Sequence, residues 1–505
     1  MRVLALFFAS GKCYNIQMKK RKDEQKRSVV MMIIGGVILA VEFFTSALLI
    51  FALLKLNILQ GWQLAIIIGI LVLILAYNVF ELFFRKRAKL FGKIASCVIA
   101  VLISCGCAFA YSYIQQANDF LSSITTQHKE TITYEIRTLK RSGVTDIAQL
   151  AGQPIGIIKT SPNLEKTKAE LAKLIENFNP VEYDELGLMI LDFYEGRLAA
   201  VVLNESYLSY LEETDYDLEA DTASLKDFSI ENEAQADLRT PVNVVKEPFI
   251  VYISGSDSRS KSVNSMGNSD VNIIAVVNPE QGKILLVNIP RDYYVQLHGT
   301  TGIPDKLTHA GNYGLEMSKA TIEDLLGIQI NYTFKVGFQG VEKIVDAIDG
   351  IDIESRAKFT REQDGKTCYI KEGWNHLDGT CALRYARERK TFKYGDLDRG
   401  KNQQQVLTAI VTKLTNLSYL TRYSQILDAA KGTFTTSFTD TEITDFVRWQ
   451  LAELKKWKID SIQIEGQSSM EPTYTYGMRT KLYVFLRNEA SETAAKQKIA
   501  EYLAK

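Results

Sequence analysis

The sequence has no excess of charge of either sign. Lysine plus arginine and aspartate plus glutamate each number 59 in 505 residues, so the formal net charge at pH 7 is zero. Nucleic-acid binders usually carry a basic excess, at least locally. The dense basic runs, Lys19–Lys22 and Arg85–Arg87, flank apolar segments, where membrane topology explains them better. The sequence therefore argues against a nucleic-acid partner.

Histidine and cysteine are also scarce, with four and six residues. A structural zinc site takes four such ligands, and no histidine stands at suitable spacing from both Cys368 and Cys381. His309 could act as a base, but a structural polar role fits it better. Neither His309 nor any serine has a recognisable nucleophile–base partner, so the sequence offers no hydrolase triad.

Long apolar runs are present near the N-terminus. Three are long enough to cross a bilayer, which takes about 20 helical residues. They cover approximately residues 29–54, 62–84 and 94–114. Basic residues precede the first run at Lys19–Arg27 and separate the second from the third at Arg85–Lys93. By the positive-inside rule, the N-terminus lies in the cytoplasm and everything after Ile114 lies outside, as in a multi-pass cell-membrane protein.

Two acids fall inside these runs. Glu81 lies near a basic end and is expected to snorkel, whereas Glu42 is nearer the middle and is expected to mark helix packing, with Asn78 as a candidate partner. Outside the cytoplasm, Cys368 and Cys381 are expected to form a disulfide; two buried free thiols are the alternative.

The order of strand-like and helical patterns predicts an α/β protein. Its parts are a cytoplasmic tail (1–27), three transmembrane helices (28–115), a small α/β accessory domain (128–238) and an α/β catalytic domain with a central sheet flanked by helices (248–505). Residues 1–17 are interpreted as the product of an upstream start, with Met18 as the alternative first residue. Asp146–Gly152 and the strand after it resemble part of a periplasmic solute-binding domain, so ligand binding and a spacer role both stay open.

Acids and an arginine lie at the ends of successive apolar strands of the larger domain. They are Asp257 in Gly-Ser-Asp-Ser-Arg, Asp270 in Asn-Ser-Asp and Arg291 in Pro-Arg-Asp. Carboxylates hold Mg²⁺ and guanidinium groups hold phosphate oxygens, so this set suits a cation and a phosphate. Outside the cytoplasm ATP is absent, which points to a lipid-linked phosphate. Taken singly, Asp257 fits an Asx turn and Arg291 a turn with a local ion pair.

Two more arginines follow at Arg387 and Arg389. On an extended segment they would point to one side, spaced to clamp a diphosphate, although a solvated strand edge would show the same pattern. Further on, Arg399 is expected to pair with Asp396 or Asp398.

With Asn402-Gln403-Gln404 added, this order of motifs resembles the LytR-CpsA-Psr family of cell-envelope phosphotransferases, from about Phe249 to Leu414. The accessory unit and the three spans look like the capsule-associated CpsA branch. In that family, a site assisted by Mg²⁺ (or Mn²⁺) transfers a glycan with its phosphate from undecaprenyl pyrophosphate to peptidoglycan.

The resemblance implies a role for each matching residue. Asp257 and Asp270 match the metal-site acids and, with Arg291, the catalytic set. The residues that match substrate-binding positions are Arg259, Lys306, Arg387, Arg389 and Gln403. Asn268 and Asn402 stand where many members have arginine, which would weaken the positive clamp.

The predicted function is therefore a membrane-anchored transferase that attaches capsular polysaccharide to the cell wall, with capsule assembly proteins as candidate partners. A lipid-linked pyrophosphate hydrolase, with water as the acceptor, is one alternative. A capsule assembly or regulatory scaffold is another. The lipid tail requires an apolar groove, which the sequence does not locate.

Overall fold

The computed structural model describes most of the chain in ten ranges. They are residues 30–85, 90–125, 129–208, 214, 216–232, 237–256, 262–363, 365–393, 395–414 and 423–504. These residues form two compact units, one ending at Asp119 and the other beginning at Phe120. The first holds apolar helices, and the second holds two mixed sheets with their helices.

Three helices are long and apolar enough to cross a membrane. They are α1 (Val30–Leu56), α2 (Gly61–Val79) with a π-helical extension (Phe80–Phe84), and α3 (Leu90–Thr125). The third is longer than the predicted run of 94–114, because neither glycine nor proline interrupts the polar residues that follow Ile114.

A polar contact joins the three apolar helices. The side-chain amide of Asn78 donates to both carboxylate oxygens of Glu42, at 3.2 and 3.1 Å. Ser96 Oγ donates to Asn78 Oδ1 at 2.9 Å. The expected pairing of Glu42 with Asn78 is therefore confirmed. Glu81 is buried rather than snorkelled, and its partner is Arg85 at 2.8 Å.

The accessory domain has a five-stranded sheet in the order β3-β2-β4-β1-β5. Its strands are β1 (Thr131–Leu139), β2 (Pro154–Ile158), β3 (Asn179–Tyr183), β4 (Ala200–Asn204) and β5 (Thr222–Glu231). Its helices are α4 (Leu164–Leu174), α5 (Leu186–Tyr194) and α6 (Leu218–Asp221). A 3-10 turn (Ile147–Leu150) precedes β2, and Asp146 caps it by accepting from the Ala148 amide at 2.8 Å.

The larger sheet has six strands in the order β16-β11-β6-β7-β8-β17. They are β6 (Phe249–Ser256), β7 (Ser269–Asn278), β8 (Lys283–Asn288), β11 (Tyr332–Gly337), β16 (Phe434–Thr436) and β17 (Lys458–Gln463). The pairings make β6, β8, β11 and β17 run in one direction, so their carboxyl ends meet the start of β7. We call this side of the sheet the carboxyl edge.

Helices cover both faces of this sheet, which confirms the α/β class. One face packs against α7 (Leu315–Leu326) and α13 (Glu489–Leu503), through residues such as Ile322 and Ile499. The other packs against α10 (Asp396–Leu414) and α12 (Asp440–Glu453), through residues such as Leu407 and Phe446.

Shorter elements complete the fold. They are β9 (Tyr294–Val295), β10 (Asp305–Lys306), α8 (Phe338–Ala347), β12 (Ile351–Ser355), β13 (Phe359–Gln363), β14 (Lys366–Ile370), β15 (Gly373–Leu377), α9 (Gly379–Arg387), α11 (Tyr423–Ala430), β18 (Gly466–Thr473) and β19 (Gly477–Arg487). A disulfide joins Cys368 in β14 to Cys381 in α9.

The expectation of an extended segment through Arg387 is wrong, because these residues form the helix α9. Asp378 begins the helix by accepting from the Cys381 amide at 3.0 Å. Ala382, Tyr385 and Ala386 then follow at helical spacing and are buried in one apolar cluster. The alternation of Arg387 and Arg389 is therefore not that of a strand.

Candidate active site at the carboxyl edge

Asp270 and Arg291 form an ion pair at the carboxyl edge. Asp270 is the second residue of β7, and Arg291 follows the end of β8 by three residues. Arg291 Nη1 donates to Asp270 Oδ1 at 2.6 Å, and its Nε donates to Asp292 Oδ1 at 3.4 Å. The Arg291 side chain is 20% exposed and that of Asp270 is 13% exposed, so the pair is held at the surface of the site.

Hydrogen bonds among buried polar side chains fix the position of the start of β7. Ser269 Oγ lies 3.0 Å from the hydroxyl of Tyr252 and 2.8 Å from that of Ser254, and it donates to Asn272 Oδ1 at 2.9 Å. Thr308 Oγ1 also donates to Asp270 Oδ1 at 3.4 Å. The backbone at Asp270 is therefore held by the hydrogen bonds of Ser269, and its side chain by that of Thr308.

Asp292 is a buried acid behind the arginine. Lys306 Nζ lies 3.5 Å from its Oδ1. Burial alone would raise the pKa of Asp292, but nearby positive charges outweigh it and hold that pKa below its ordinary value. In order of effect they are Arg291, Lys306, Arg399 and His309. Asp292 is thus an ionised centre that gathers cations at this edge, and sequence reasoning did not single it out.

Two predicted residues lie deeper than a substrate-contacting side chain would. Lys306 is 1% exposed, beside Asp292. His309 is buried as well, with its Nδ1 2.5 Å from Asp305 Oδ1. The other oxygen of Asp305 accepts from the Thr475 amide and hydroxyl at 2.9 and 2.6 Å. This network agrees with the structural role expected for His309.

Arg387 reaches the carboxyl edge from the end of α9. Its guanidinium lies over the ring of Phe338, 5.4 Å from the centroid, and Phe338 begins α8 directly after β11. Arg389 is exposed, two residues beyond the helix. The two arginines thus leave a helix end in succession rather than sharing one side of a strand.

Glu388, between these arginines, is fully buried, and no sequence pattern indicates its role. Its Oε1 accepts from the amides of Lys390 and Thr391 at 2.8 and 3.0 Å. Its Oε2 pairs with Arg384 and, at 3.3 Å, with Arg361. Since Glu388 has these partners, it shapes the turn that carries Arg389.

Asn402 also supports this turn. Its side-chain amide donates to the carbonyls of Tyr385 and Glu388, at 3.2 and 3.4 Å. Its Oδ1 accepts from Arg356 Nη2 at 2.9 Å. Asn402 is fully buried, so it holds the end of α9 instead of standing as an amide in a phosphate clamp.

The first turns of α10 carry Gln403 and Arg399 against the strand ends. A Cβ on Gly400 would lie 2.1 Å from Asn288 Nδ2, so only glycine permits this approach. Gln403 is half-buried there. Arg399 acts on Asp292, and Asp398 pairs with Arg356 at 2.6 Å. The expected pairing of Arg399 with Asp396 or Asp398 stays a prediction. The Asp396 side chain lies outside the described residues.

A magnesium ion needs few protein ligands, because it keeps several waters and is commonly held by one or two carboxylates with substrate phosphates. Within the described ranges, no group of three or more histidine, cysteine or carboxylate side chains is placed to hold a metal. Asp270 is partly exposed and accepts from Arg291 and Thr308 through its Oδ1, whereas Asp292 is buried among several basic side chains. The donor chemistry thus fits an ion shared with a phosphate. Asp257 and Arg259, which follow β6 at this edge, lie outside the described residues.

Comparisons with known proteins support a cell-envelope role for relatives of this chain. Residues 214–493 match the family model described as the LytR_cpsA_psr family. A polyisoprenyl-teichoic acid–peptidoglycan teichoic acid transferase TagU from Bacillus anthracis (strain CDC 684 / NRRL 3495) is 34% identical over 221 residues, covering 44% of this chain and 70% of that protein. The TagU of Enterococcus faecalis (strain ATCC 700802 / V583) is 32% identical over 232 residues, covering 46% and 74%. The crystal structure of B. subtilis TagV matches with 27% identity and a TM-score of 0.43, covering 51% of this chain and 98% of that one.

Proposed function

Because the chain belongs to the LytR-CpsA-Psr family, we propose that it is a membrane-anchored transferase that moves a glycan phosphate from undecaprenyl pyrophosphate to peptidoglycan. The observation that carries this proposal is the carboxyl edge itself. Three arginines meet there, Arg291, Arg387 and Arg399. They lie near two acids: Asp270, which is partly exposed, and Asp292, which is buried. We propose capsular polysaccharide as the glycan, since the accessory domain and the three spans resemble the capsule-associated branch.

The arginines account for pyrophosphate binding. Charge accumulates on the transferred phosphorus and on the leaving phosphate, and preorganised donors stabilise it without reorganising during the reaction. Arg291 is held by two acids and has little freedom to move. Arg387 and Arg389, with Arg259 and Gln403, would bind the remaining phosphate oxygens.

The acids account for the acceptor. The reaction forms a bond from a peptidoglycan hydroxyl oxygen to the glycan-bearing phosphorus and breaks the bond to the undecaprenyl phosphate oxygen. The hydroxyl proton needs a base, and Asp270 or Asp257 would accept it. Either acid would also be a ligand of Mg²⁺ (or Mn²⁺), which would supply charge neutralisation at the bridging phosphate oxygens.

The membrane anchor fits a substrate with a lipid tail. Three apolar helices precede the accessory domain. By the positive-inside rule, the basic residues around them favour Lys19–Arg27 inside and the residues after Ile114 outside. We propose that the site works on the outer face, where both the lipid-linked glycan and peptidoglycan are found. Reporter fusions after Lys93 and after Leu238 test this, and a cytoplasmic signal from the second fusion would contradict it.

The direct test is release of polyprenyl phosphate from a lipid-linked sugar pyrophosphate by the purified full chain, with and without peptidoglycan fragments. Acceptor-dependent release, lost in Arg387→Ala but kept in Arg448→Ala, is the expected result. Arg448 is a matched control because it pairs with Asp445 on α12, outside the site. Equal release without any acceptor would instead indicate a hydrolase. No release would contradict both enzymatic functions and favour a capsule assembly or regulatory scaffold.

A further inference from the structure

The segment that leads into Asp270 is bound by the accessory domain. The amide of Thr131, the first residue of β1, donates to the carbonyl of Asn264 at 3.0 Å. The amide of Met266 donates back to the Thr131 carbonyl at 2.7 Å, which makes a parallel bridge beside Ser265. The Met266 side chain is 3% exposed and belongs to the apolar core of the accessory domain. A piece of the catalytic domain is therefore built into its neighbour.

A buried ion pair fastens the same segment. Lys335 Nζ lies 2.7 Å from Glu130 Oε1 and also donates to the carbonyl of Ser265 at 3.0 Å. The other oxygen of Glu130 accepts from the Leu315 amide at 3.2 Å. Both charged side chains are less than 10% exposed. The desolvation of such a pair offsets most of its attraction, so stability alone is a weak reason for it.

The opposite side of the segment is packed just as closely. A Cβ on Gly311 would lie 2.3 Å from the Gly267 carbonyl oxygen and 2.8 Å from the Ser269 nitrogen. Asn312 Nδ2 donates to Asn268 Oδ1 at 3.1 Å. The backbone between Ser265 and Asp270 is thus confined from both sides, and a shift on one side is passed to the acid at its end.

We propose that Lys335 and Glu130 are positioning residues, which set the place of Asp270 against Arg291 through the Ser265–Asp270 backbone. The accessory domain is then a brace for the catalytic site. The kinetic consequence rests on the proposed transferase function, whereas the structural consequence does not.

The variants separate positioning from stability. Lys335→Met leaves Glu130 buried without this partner, so it is expected to lower both the melting temperature and kcat. The double variant Glu130→Gln/Lys335→Met removes both charges, which restores the melting temperature but not the bond to the Ser265 carbonyl. Because a displacement of about 1 Å costs up to about 100-fold in rate, kcat of the double variant is expected to stay about 10- to 100-fold low, with KM little changed. Lys335→Arg keeps a donor and is expected to recover part of kcat.

Hydrogen exchange on the full chain gives a second readout that does not depend on activity. In the double variant, amides of residues 264–269 are expected to exchange faster while those of β6 and β8 stay protected. Arg137→Met is the matched control, because Arg137 lies in β1, pairs with Glu135 and is largely buried, away from the segment. Recovery of kcat together with the melting temperature, or unchanged exchange at 264–269, would overturn the proposal. If the unmodified chain shows no transfer, the proposed function is wrong. The hydrogen-exchange result still tests whether Lys335 and Glu130 hold the Ser265–Asp270 backbone in place.

Discussion

Replacing Arg291 by alanine tests the site most directly. The guanidinium is held by Asp270 at 2.6 Å and by Asp292 at 3.4 Å, so it stands ready where charge is expected to accumulate. Losing one preorganised contact of this kind costs about 2.7–4 kcal/mol of barrier, or about 10²- to 10³-fold in kcat. We therefore expect Arg291→Ala to lower kcat by that factor.

The same change should leave the fold intact. Asp292 keeps Lys306 and Arg399 as compensating charges, and Asp270 keeps the Thr308 hydroxyl and partial solvent exposure. A lost hydrogen bond to a charged group costs about 1.5–3 kcal/mol, which is less than the stability of an ordinary domain. Circular dichroism and the melting temperature check this before any rate is interpreted.

The assay is release of polyprenyl phosphate from a lipid-linked sugar pyrophosphate in the presence of peptidoglycan fragments. Arg291→Lys keeps the charge but not the planar fork, so an intermediate rate is expected. Asp270→Asn should also lower kcat, and the double variant should lose less than the sum of the two because the residues act as one unit. Unchanged turnover in a folded Arg291→Ala protein would refute the assignment of this edge as the active site.

Three further outcomes follow from other contacts. Replacing Cys368 and Cys381 by serine should lower the free energy of unfolding by about 3 kcal/mol, measured by denaturant titration, since the bond closes a short loop. Asn402→Leu should lower the affinity for lipid pyrophosphate, measured by binding, because the end of α9 loses the donor at the Tyr385 and Glu388 carbonyls. Burial alone would raise the pKa of Glu492, but hydrogen bonds from Arg487 and Tyr293 hold that pKa below its ordinary value. That stabilisation is complete above the unfolded pKa of about 4.3 and is lost as the pH falls through the folded value, so Glu492→Gln should flatten the acid limb of the melting-temperature profile.

Periodic patterns predicted the main elements of the fold. The three apolar runs form helices α1 to α3, and the strands expected next to Asp257, Asp270 and Arg291 are β6, β7 and β8, which are adjacent in one sheet. The prediction of an extended segment before Arg387 was wrong. The alternating arginines match the period of a strand, whereas the cap at Asp378 and the spacing of the apolar residues match a helix. The cap and the apolar spacing are both visible in the sequence, and together they favour a helix over a strand.

The sequence predicted the site residues whose side-chain type itself suggests metal or phosphate binding. Asp270 and Arg291 were predicted because an acid and an arginine at strand ends suggest metal and phosphate, and the fold pairs them. Asp292, Glu388 and Asn402 act through burial and through partners far along the chain, which a sequence does not display. Lys306 was predicted to bind substrate, but it is buried beside Asp292. That burial depends on the packing of β10, which the sequence does not show.

The accessory domain shows why a resemblance to solute-binding domains does not decide its role. A ligand of such a sheet would enter at the carboxyl ends of β2 and β4, where the strand order reverses. Here Tyr207, which follows β4, is fully buried in one apolar cluster with Ile158 of β2 and Leu203 of β4. Tyr476, between β18 and β19, enters the apolar core next to α5. A catalytic-domain side chain therefore occupies part of the accessory domain's core, which favours the spacer role, while ligand binding stays open as the alternative.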